Sequence, residues 1–103
     1  MIRCSCLIQA GQIAQAQQTN LEAGLDKIAQ TYFSESADVG WTHIAKGSGF
    51  TDSKPSRSSI ISMNVPADTV QETRVDVLHA ICDLWTTETG CHVDDVVATA
   101  MSA

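Results

Sequence analysis

The chain has 103 residues and a formal net charge of −6, and these values exclude several protein classes. Only six lysines and arginines are present and they are scattered, whereas a nucleic-acid-binding face needs clustered positive charge. We therefore expect no nucleic-acid partner. The longest apolar runs fall far short of the roughly 20 residues of a membrane span, and no signal-peptide pattern is visible. We expect a cytoplasmic protein with no membrane association.

The first half of the chain reads as a strand, a helix and a second strand. Residues 2–9 form the predicted first strand, which Gly11 ends. A helix rich in glutamine and alanine follows to about Phe33, because its apolar residues recur at the helical spacing: Leu21, Leu25, Ile28, Ala29 and Tyr32. Gly24 lies within this stripe and is expected to allow close approach to a strand. The turn 34–38 leads to a second strand over Val39–Ala45.

The second half repeats this order after an irregular joining segment, 46–57, which is rich in glycine and serine. The third strand is predicted from about Ser58 to Val65. Thr69 and Glu72 have the spacing of a capping box, so a helix is expected to start there and to end at Gly90. Residues 93–101 hold the last strand.

The two halves therefore predict a tandem repeat of one βαβ unit. An offset of 57 places Leu21 on Leu78 and Leu25 on Cys82. We expect a single domain over residues 1–103, with repeats at about 2–45 and 59–101. The fold class is α+β, with a four-stranded mixed sheet covered on one face by two helices.

Two architectures fit the order βαββαβ. One is a ferredoxin-like sandwich, and the other is a pair of βαβ units related by a pseudo-twofold axis, each with adjacent parallel strands. In both, one sheet face is left uncovered, and we expect the outward residues to be mostly apolar. A monomer would not expose such a face to water, so the pattern predicts an oligomer.

The four cysteines predict packing rather than a metal site. Cys4 and Cys6 are two residues apart on a strand and therefore share a face. No cysteine or histidine spacing matches that of a zinc site. We expect no metal and no cofactor.

In order and spacing the whole chain resembles the tautomerase superfamily, in the fused two-unit branch with the fold of macrophage migration inhibitory factor. Local matches are Gly11 after the first strand, the segment 45–47 after the second, and Phe50 soon afterwards. The resemblance implies a homotrimer. It also implies an enzyme that acts on small carbonyl acids by proton transfer.

The sequence departs from this family at the catalytic centre. The resemblance implies an amino-terminal proline as the base, but Ile2 stands in the second position, and methionine is trimmed only before small residues. We therefore expect Met1 to remain, with a primary α-amine in place of the proline. The family's substrate-binding arginines are also missing from the matching positions, which hold Gln12 and the segments 38–40 and 64–67. Turnover of typical enol acids is accordingly expected to be weak or absent.

Candidate site residues follow from the remaining chemistry. The catalytic candidates are the Met1 α-amine and His43, since histidine is a common general base. Residues that could contact a small carboxylate or carbonyl substrate are Gln9, Gln12, Trp41, Lys46, Phe50, Lys54 and Arg57.

Three functional readings stay open from the sequence. The first is an isomerase, or tautomerase, that acts on a small keto acid. The second is a non-catalytic tautomerase-fold protein that binds a ligand or another protein. The third is a ferredoxin-like αβ-barrel dimer of the monooxygenase type.

Overall fold

The computed structural model describes residues 1–45, 50–51, 54–55 and 58–102. In chain order the elements are β1 (Ile2–Gln9), α1 (Gln15–Phe33), β2 (Ala37–Ile44), β3 (Phe50–Thr51), β4 (Lys54–Pro55), β5 (Ser59–Val65), α2 (Gln71–Thr89), a 3-10 helix (Val93–Asp95) and β6 (Val96–Ser102). None of the helices in these ranges is both long enough and apolar enough to span a bilayer. The predicted order βαββαβ is confirmed, with a short β3–β4 hairpin added between the repeats.

The main sheet has the strand order β2-β1-β5-β6. β1 pairs in parallel with β2, β5 pairs in parallel with β6, and the two central strands β1 and β5 are antiparallel. Each βαβ unit therefore keeps its own two strands adjacent, as a right-handed crossover through one helix allows. A ferredoxin-like sheet interleaves its strands, so this topology rules out that alternative.

The hydrophobic core lies between the sheet and the two helices. β1 alternates strictly over its first half, with Ile2, Cys4 and Cys6 buried. Ile61, Met63 and Val65 of β5 are buried on the same side, because side chains two apart on a strand share a face. The prediction that Cys4 and Cys6 share a face is confirmed, and that face is the one beneath the helices.

The prediction that the outward face is mostly apolar is wrong. Because Cys4, Cys6 and Ile61 of the central strands point inward, the alternate positions that point outward include four polar residues: Arg3, Ser5, Ser62 and Asn64. Apolar side chains remain outward in one row, in which Leu7 lies opposite Ile60 and Ile60 opposite Val97. The apolar area of this face is thus a band across three strands rather than a whole surface.

Equivalent buried residues of the two helices are 56 positions apart in the sequence, rather than the predicted 57. The residues that α2 buries are Val77, Ile81 and Trp85, whereas α1 buries Leu21 and Leu25 at the equivalent depth. The one-residue difference turns Leu78 and Cys82 about 100° away from the core centre, and both are only partly buried. The helix offset differs from the strand offset because each helix rotates to fit its own packing partners.

Three predicted boundaries are wrong. β2 begins at Ala37 rather than Val39, because Ala37 already pairs with Ile2 of β1. α2 begins after Val70, which makes no side-chain cap hydrogen bond, so the expected capping box at Thr69 is absent. The last strand begins at Val96, because residues 93–95 form a 3-10 turn in which His92 Nδ1 accepts a hydrogen bond from the Asp94 N–H. The predicted end of α2 is confirmed, since Gly90 caps it in the left-handed conformation at φ 70°.

Gly24 permits a helix contact, not the predicted strand contact. A Cβ at this position would lie 2.4 Å from Cδ1 and 2.8 Å from Cδ2 of Leu84. Gly24 therefore lets α1 and α2 approach each other closely above the sheet. This contact fixes the spacing of the helix layer.

Candidate functional site

One end of the main sheet brings the chain's N-terminal amine beside a carboxylate. We call it the amine end: β1 and β2 start there, and β5 and β6 finish there. The Met1 ammonium donates to Glu35 Oε1 at 2.5 Å, and both side chains are substantially exposed, at 65% and 42%. Glu35 is held in place because Ser34 ends α1 at φ 55° and turns the chain sharply towards β2.

Two arginines lie at the same end. Arg74, in the first turn of α2, donates from Nη2 to Ser102 Oγ at 2.9 Å, from Nη1 to the Ala100 carbonyl and from Nε to the Thr69 carbonyl. Among the described residues these bonds use three of the five guanidinium N–H groups, which leaves two for a ligand. Arg3, on the outward face, lies 4.0 Å from Asp38 Oδ2 and is largely exposed.

Glu35 and Arg74 were not predicted from the sequence. Glu35 appears only as part of a turn, and Arg74 as one charge on the polar side of a helix. The signal that could have found them is topological. Parallel pairing of β1 with β2 puts the turn that holds Glu35 beside the start of β1, and antiparallel pairing of β1 with β5 brings the last residues of β5 and β6, and with them Arg74, to the same end of the sheet. That pairing is not visible in either repeat alone.

Most of the described polar candidates lie at the opposite end. Gln12 Oε1 accepts a hydrogen bond from the Gln9 N–H at 3.1 Å, which closes the turn after β1. His43 Nε2 lies 3.4 Å from the amide nitrogen of Gln18, a contact in which the imidazole nitrogen is the acceptor in one tautomer. β1 has eight residues, so about 25 Å of strand separates Met1 from this group within one chain.

Trp41 lies at the seam between β2 and α1. Its indole N–H donates to Glu22 Oε1 at 2.6 Å, and its ring centroid is 6.0 Å from that of Trp85. Two further contacts join α1 to β2: Gln18 with His43, and the Asp26 carboxylate, which accepts from the Ala37 N–H at 2.9 Å. With the Trp41–Glu22 bond they form a polar seam along one face of α1. These hydrogen bonds give Trp41 a structural role and supply one of the contacts of His43.

The four remaining candidates belong to the joining segment. Lys46 and Arg57 lie outside the described residues. Phe50 and Lys54 are described as backbone only, in the β3–β4 hairpin, where Phe50 pairs with Pro55 and Lys54 with Thr51. β2 ends at Ile44 and β5 begins at Ser59, so the segment leaves and rejoins the sheet at the end opposite Met1.

The buried thiols are poor candidates for chemistry. Burial raises the pKa of Cys4 to about 11, with a smaller contribution from Asp38, and burial raises the pKa of Cys6 to about 12, helped by Cys4 and Glu22. Thiols are reactive and bind metals as thiolates, so both are inert near neutral pH. Within the described ranges no group of three or more metal-binding side chains is gathered in one place.

Comparison with known proteins gives structural matches only. No protein-family model matches the sequence, and no curated protein is significantly similar to it. Native Ps01740 superimposes with a TM-score of 0.93 at 23% identity, covering 98% of this chain and 93% of its own. A symmetric trimer of wild-type fused 4-OT, Q0, gives 0.87 at 13% identity, with 98% and 85% covered.

A third match is N1, a member of the cis-3-chloroacrylic acid dehalogenase family. It has a TM-score of 0.90 at 12% identity and covers 98% of this chain and 74% of its own. These neighbours carry the paired βαβ units described above, at sequence identities too low to carry over residue roles. The chain therefore shares the fold of fused 4-OT and of this dehalogenase-family member, as the resemblance stated from its sequence implied.

Proposed function

We propose that this protein is a tautomerase-type isomerase that moves a proton on a small carbonyl acid at the amine end of its sheet. The observation that supports this most is the contact of the Met1 ammonium with Glu35 Oε1 at 2.5 Å. A proton donor and a proton acceptor held in contact are the two groups that a tautomerisation needs.

In this proposal the two groups act on opposite ends of the enolisable unit. Glu35 takes the proton from the carbon next to the carbonyl, and the Met1 ammonium donates a hydrogen bond to the carbonyl oxygen, where negative charge develops. Return of the proton from Glu35 to a different atom of the enolate completes the isomerisation. In this proposal Met1 serves as the hydrogen-bond donor and acid, and Glu35 as the base.

Arg74 is the proposed partner of the substrate carboxylate. Its guanidinium is fixed by three protein acceptors, and a carboxylate that accepts from its remaining N–H groups would be oriented towards the sheet end. A charge-assisted bond of this kind is worth roughly 1.5–3 kcal/mol, or about ten- to a hundredfold in affinity. This residue would perform the task for which the sequence offered Lys46, Lys54 and Arg57.

We further propose that the protein is a cytoplasmic homotrimer. Several structural neighbours are described as trimers, fused 4-OT among them, and the apolar row Leu7–Ile60–Val97 offers a surface for association. His43, Gln9, Gln12 and Trp41 stay predicted site residues. A role for His43, Gln9 and Gln12 beside Met1 would require a second copy, because one copy keeps these residues about 25 Å from Met1.

The test is ketonisation of phenylenolpyruvate by protein whose intact mass shows that Met1 is present. We expect slow turnover above the buffer rate, a loss of at least tenfold in Glu35→Gln, and a raised KM in Arg74→Ala. Asp94→Asn is the matched control, because its carboxylate is exposed and pairs with His92 away from the amine end. Turnover that is unchanged in Glu35→Gln would contradict the proposed acid–base pair.

A second candidate is the non-catalytic reading, in which the same end binds a small carboxylate without turnover. It is supported by the exposure of the Met1–Glu35 pair, since exposed groups lack the water-excluded surroundings that strengthen catalysis. Calorimetry with pyruvate separates the two. Binding that Arg74→Ala abolishes, together with no ketonisation by the parent protein, favours the second candidate.

A further inference from the structure

A mostly apolar groove lies between α1 and α2, on the side of the helix layer that faces away from the sheet. Its volume is about 300 Å³, which is at the lower end of the range for small-molecule sites. We call it the helix groove. It has an apolar floor, formed by Ile28, Ala80 and Leu84, and two charged residues at its sides, Lys27 of α1 and Asp83 of α2. None of these residues belongs to the amine end.

The floor of the helix groove is set by close packing of the two helices. Ile28 is 9% exposed, and Leu84 lies against Gly24, where a Cβ would overlap its methyl groups. Glu88 lines the end of the groove nearest the C-terminus of α2, and its Oε1 accepts a hydrogen bond from Asn20 Nδ2 of α1 at 2.8 Å. The groove is therefore formed before a ligand arrives, which lowers the cost of ordering on binding.

The two charged groups of the helix groove have no partner in the described part of the chain. Lys27 and Asp83 are both exposed, and their side chains form neither an ion pair nor a hydrogen bond with each other or with any other described residue. The cause is spacing, because Lys27 has no acidic residue and Asp83 no lysine or arginine three or four positions away along its helix. An unpaired cation and an unpaired anion therefore flank one apolar floor.

A ligand that complements all three parts carries a carboxylate, an ammonium and an apolar chain. A ligand with a single charge would leave one of the two protein charges without a partner. A peptide separates its two terminal charges by its own length. An α-amino acid holds both charges on one carbon, so its apolar side chain can lie on the floor while its charges reach the two sides.

We propose that the helix groove binds a free α-amino acid with an apolar side chain of about the size of leucine. The ligand carboxylate accepts from the Lys27 ammonium, the ligand ammonium donates to the Asp83 carboxylate, and the side chain packs on Ile28 and Leu84. Because both charged contacts are exposed to water, each contributes little, and we expect a dissociation constant of about 1 mM. This second site is independent of the proposed chemistry at the amine end.

The test is a titration of the isotopically labelled protein with L-leucine, followed by the backbone amide shifts in nuclear magnetic resonance spectra. We expect saturable shifts at Gly24, Lys27, Ala80 and Asp83 and none at Arg74. Two matched probes each lack one charge: 4-methylpentanoate has no ammonium, and 3-methylbutylamine has no carboxylate. Each should bind about fivefold more weakly than leucine, because each loses one exposed ionic contact.

Charge variants assign the two contacts. Lys27→Gln should weaken leucine binding about fivefold and leave 3-methylbutylamine unaffected, whereas Asp83→Asn should weaken leucine binding about fivefold and leave 4-methylpentanoate unaffected. The exchange Lys27→Asp/Asp83→Lys should bind leucine within about twofold of the parent, because the ligand can turn end for end. Asp68→Asn is the matched control, since this exposed aspartate lies in the turn after β5, outside the groove.

Four results would overturn the proposal. The first is the absence of saturable shifts in the helix groove up to about 20 mM leucine, and the second is equal binding of leucine and both single-charge probes. The third is a loss in Asp68→Asn equal to that in Asp83→Asn. The fourth is a set of shifts confined to Arg74 and its neighbours, which would assign the leucine carboxylate to the amine end. Ketonisation by the same protein tests the proposed function separately, and the spectrum of each variant reports whether it is folded.

Discussion

Replacing Trp85 tests how much an unpaired polar group in the core lowers the free energy of unfolding. It is completely buried, and its indole N–H is the one buried side-chain polar group in the described chain that lacks a hydrogen-bond partner. An unpaired buried donor costs about 1–3 kcal/mol. Trp85→Phe removes this donor together with part of the ring, so a gain and a loss are expected to offset each other.

The loss can be estimated from the change in ring size. Replacing the indole by a phenyl ring removes the equivalent of roughly two buried methylenes, at about 0.8 kcal/mol each, and leaves a small cavity that costs about 1 kcal/mol more. The loss is thus about 2.6 kcal/mol. Against a gain of about 1–3 kcal/mol, the free energy of unfolding should lie between about 1.6 kcal/mol lower and about 0.4 kcal/mol higher than that of the parent. Trp85→Ala has no such offset and should lose about 3–5 kcal/mol.

Trp41→Phe is the matched comparison. Trp41 makes the same change of ring but gives up a real hydrogen bond to Glu22, so it should lose about 1–2 kcal/mol, after allowance for its partial exposure. Urea unfolding followed by circular dichroism at one protein concentration measures all three variants. If Trp85→Phe loses as much as Trp85→Ala, the unpaired indole N–H carries no cost and the reasoning fails.

Two further predictions concern the thiols and the helix crossing. The folded-state pKa values of Cys4 and Cys6 are raised to about 11 and about 12 from an ordinary value of 9.0, so the unfolded chain releases these protons first and stability must fall as pH rises above 9. From pH 8 to pH 10 each thiol should cost about 1.4 kcal/mol; urea unfolding of Cys4→Ala/Cys6→Ala should show a smaller fall, and an equal fall would contradict the burial argument. Gly24→Ala should destabilise by about 1 kcal/mol, because displacing Leu84 costs about 1–3 kcal/mol and the helix gains about 1 kcal/mol. In a Leu84→Ala background the same change should become stabilising, and equal losses in both backgrounds would show that Leu84 is not the obstacle.

The sequence alone determined the elements and their repeat. Apolar residues at strand and helix spacing located β1, β5 and the end of α1 to within a residue, since local periodicity reflects which face is buried. The glycine that ends α2 was also identified, because a left-handed helix cap depends on the local sequence alone. The order and spacing of these elements gave the resemblance whose implied fold the structural neighbours share.

Only tertiary packing decided which side chains point into the core and which elements contact each other. The sequence could not tell whether Cys4 or Ser5 points inward, because a strand shifted by one residue exchanges its faces, and it placed Gly24 against a strand rather than Leu84. The offset of 56 between the helices, which turns Leu78 and Cys82 towards β6, likewise depends on how two helices fit together. The proposed site depends on strand pairing in the same way: parallel pairing of β1 with β2 brings Met1 to Glu35, and antiparallel pairing of β1 with β5 places Arg74 at the same end of the sheet. Each repeat encodes its own βαβ unit, while the contacts between repeats exist only in the folded chain.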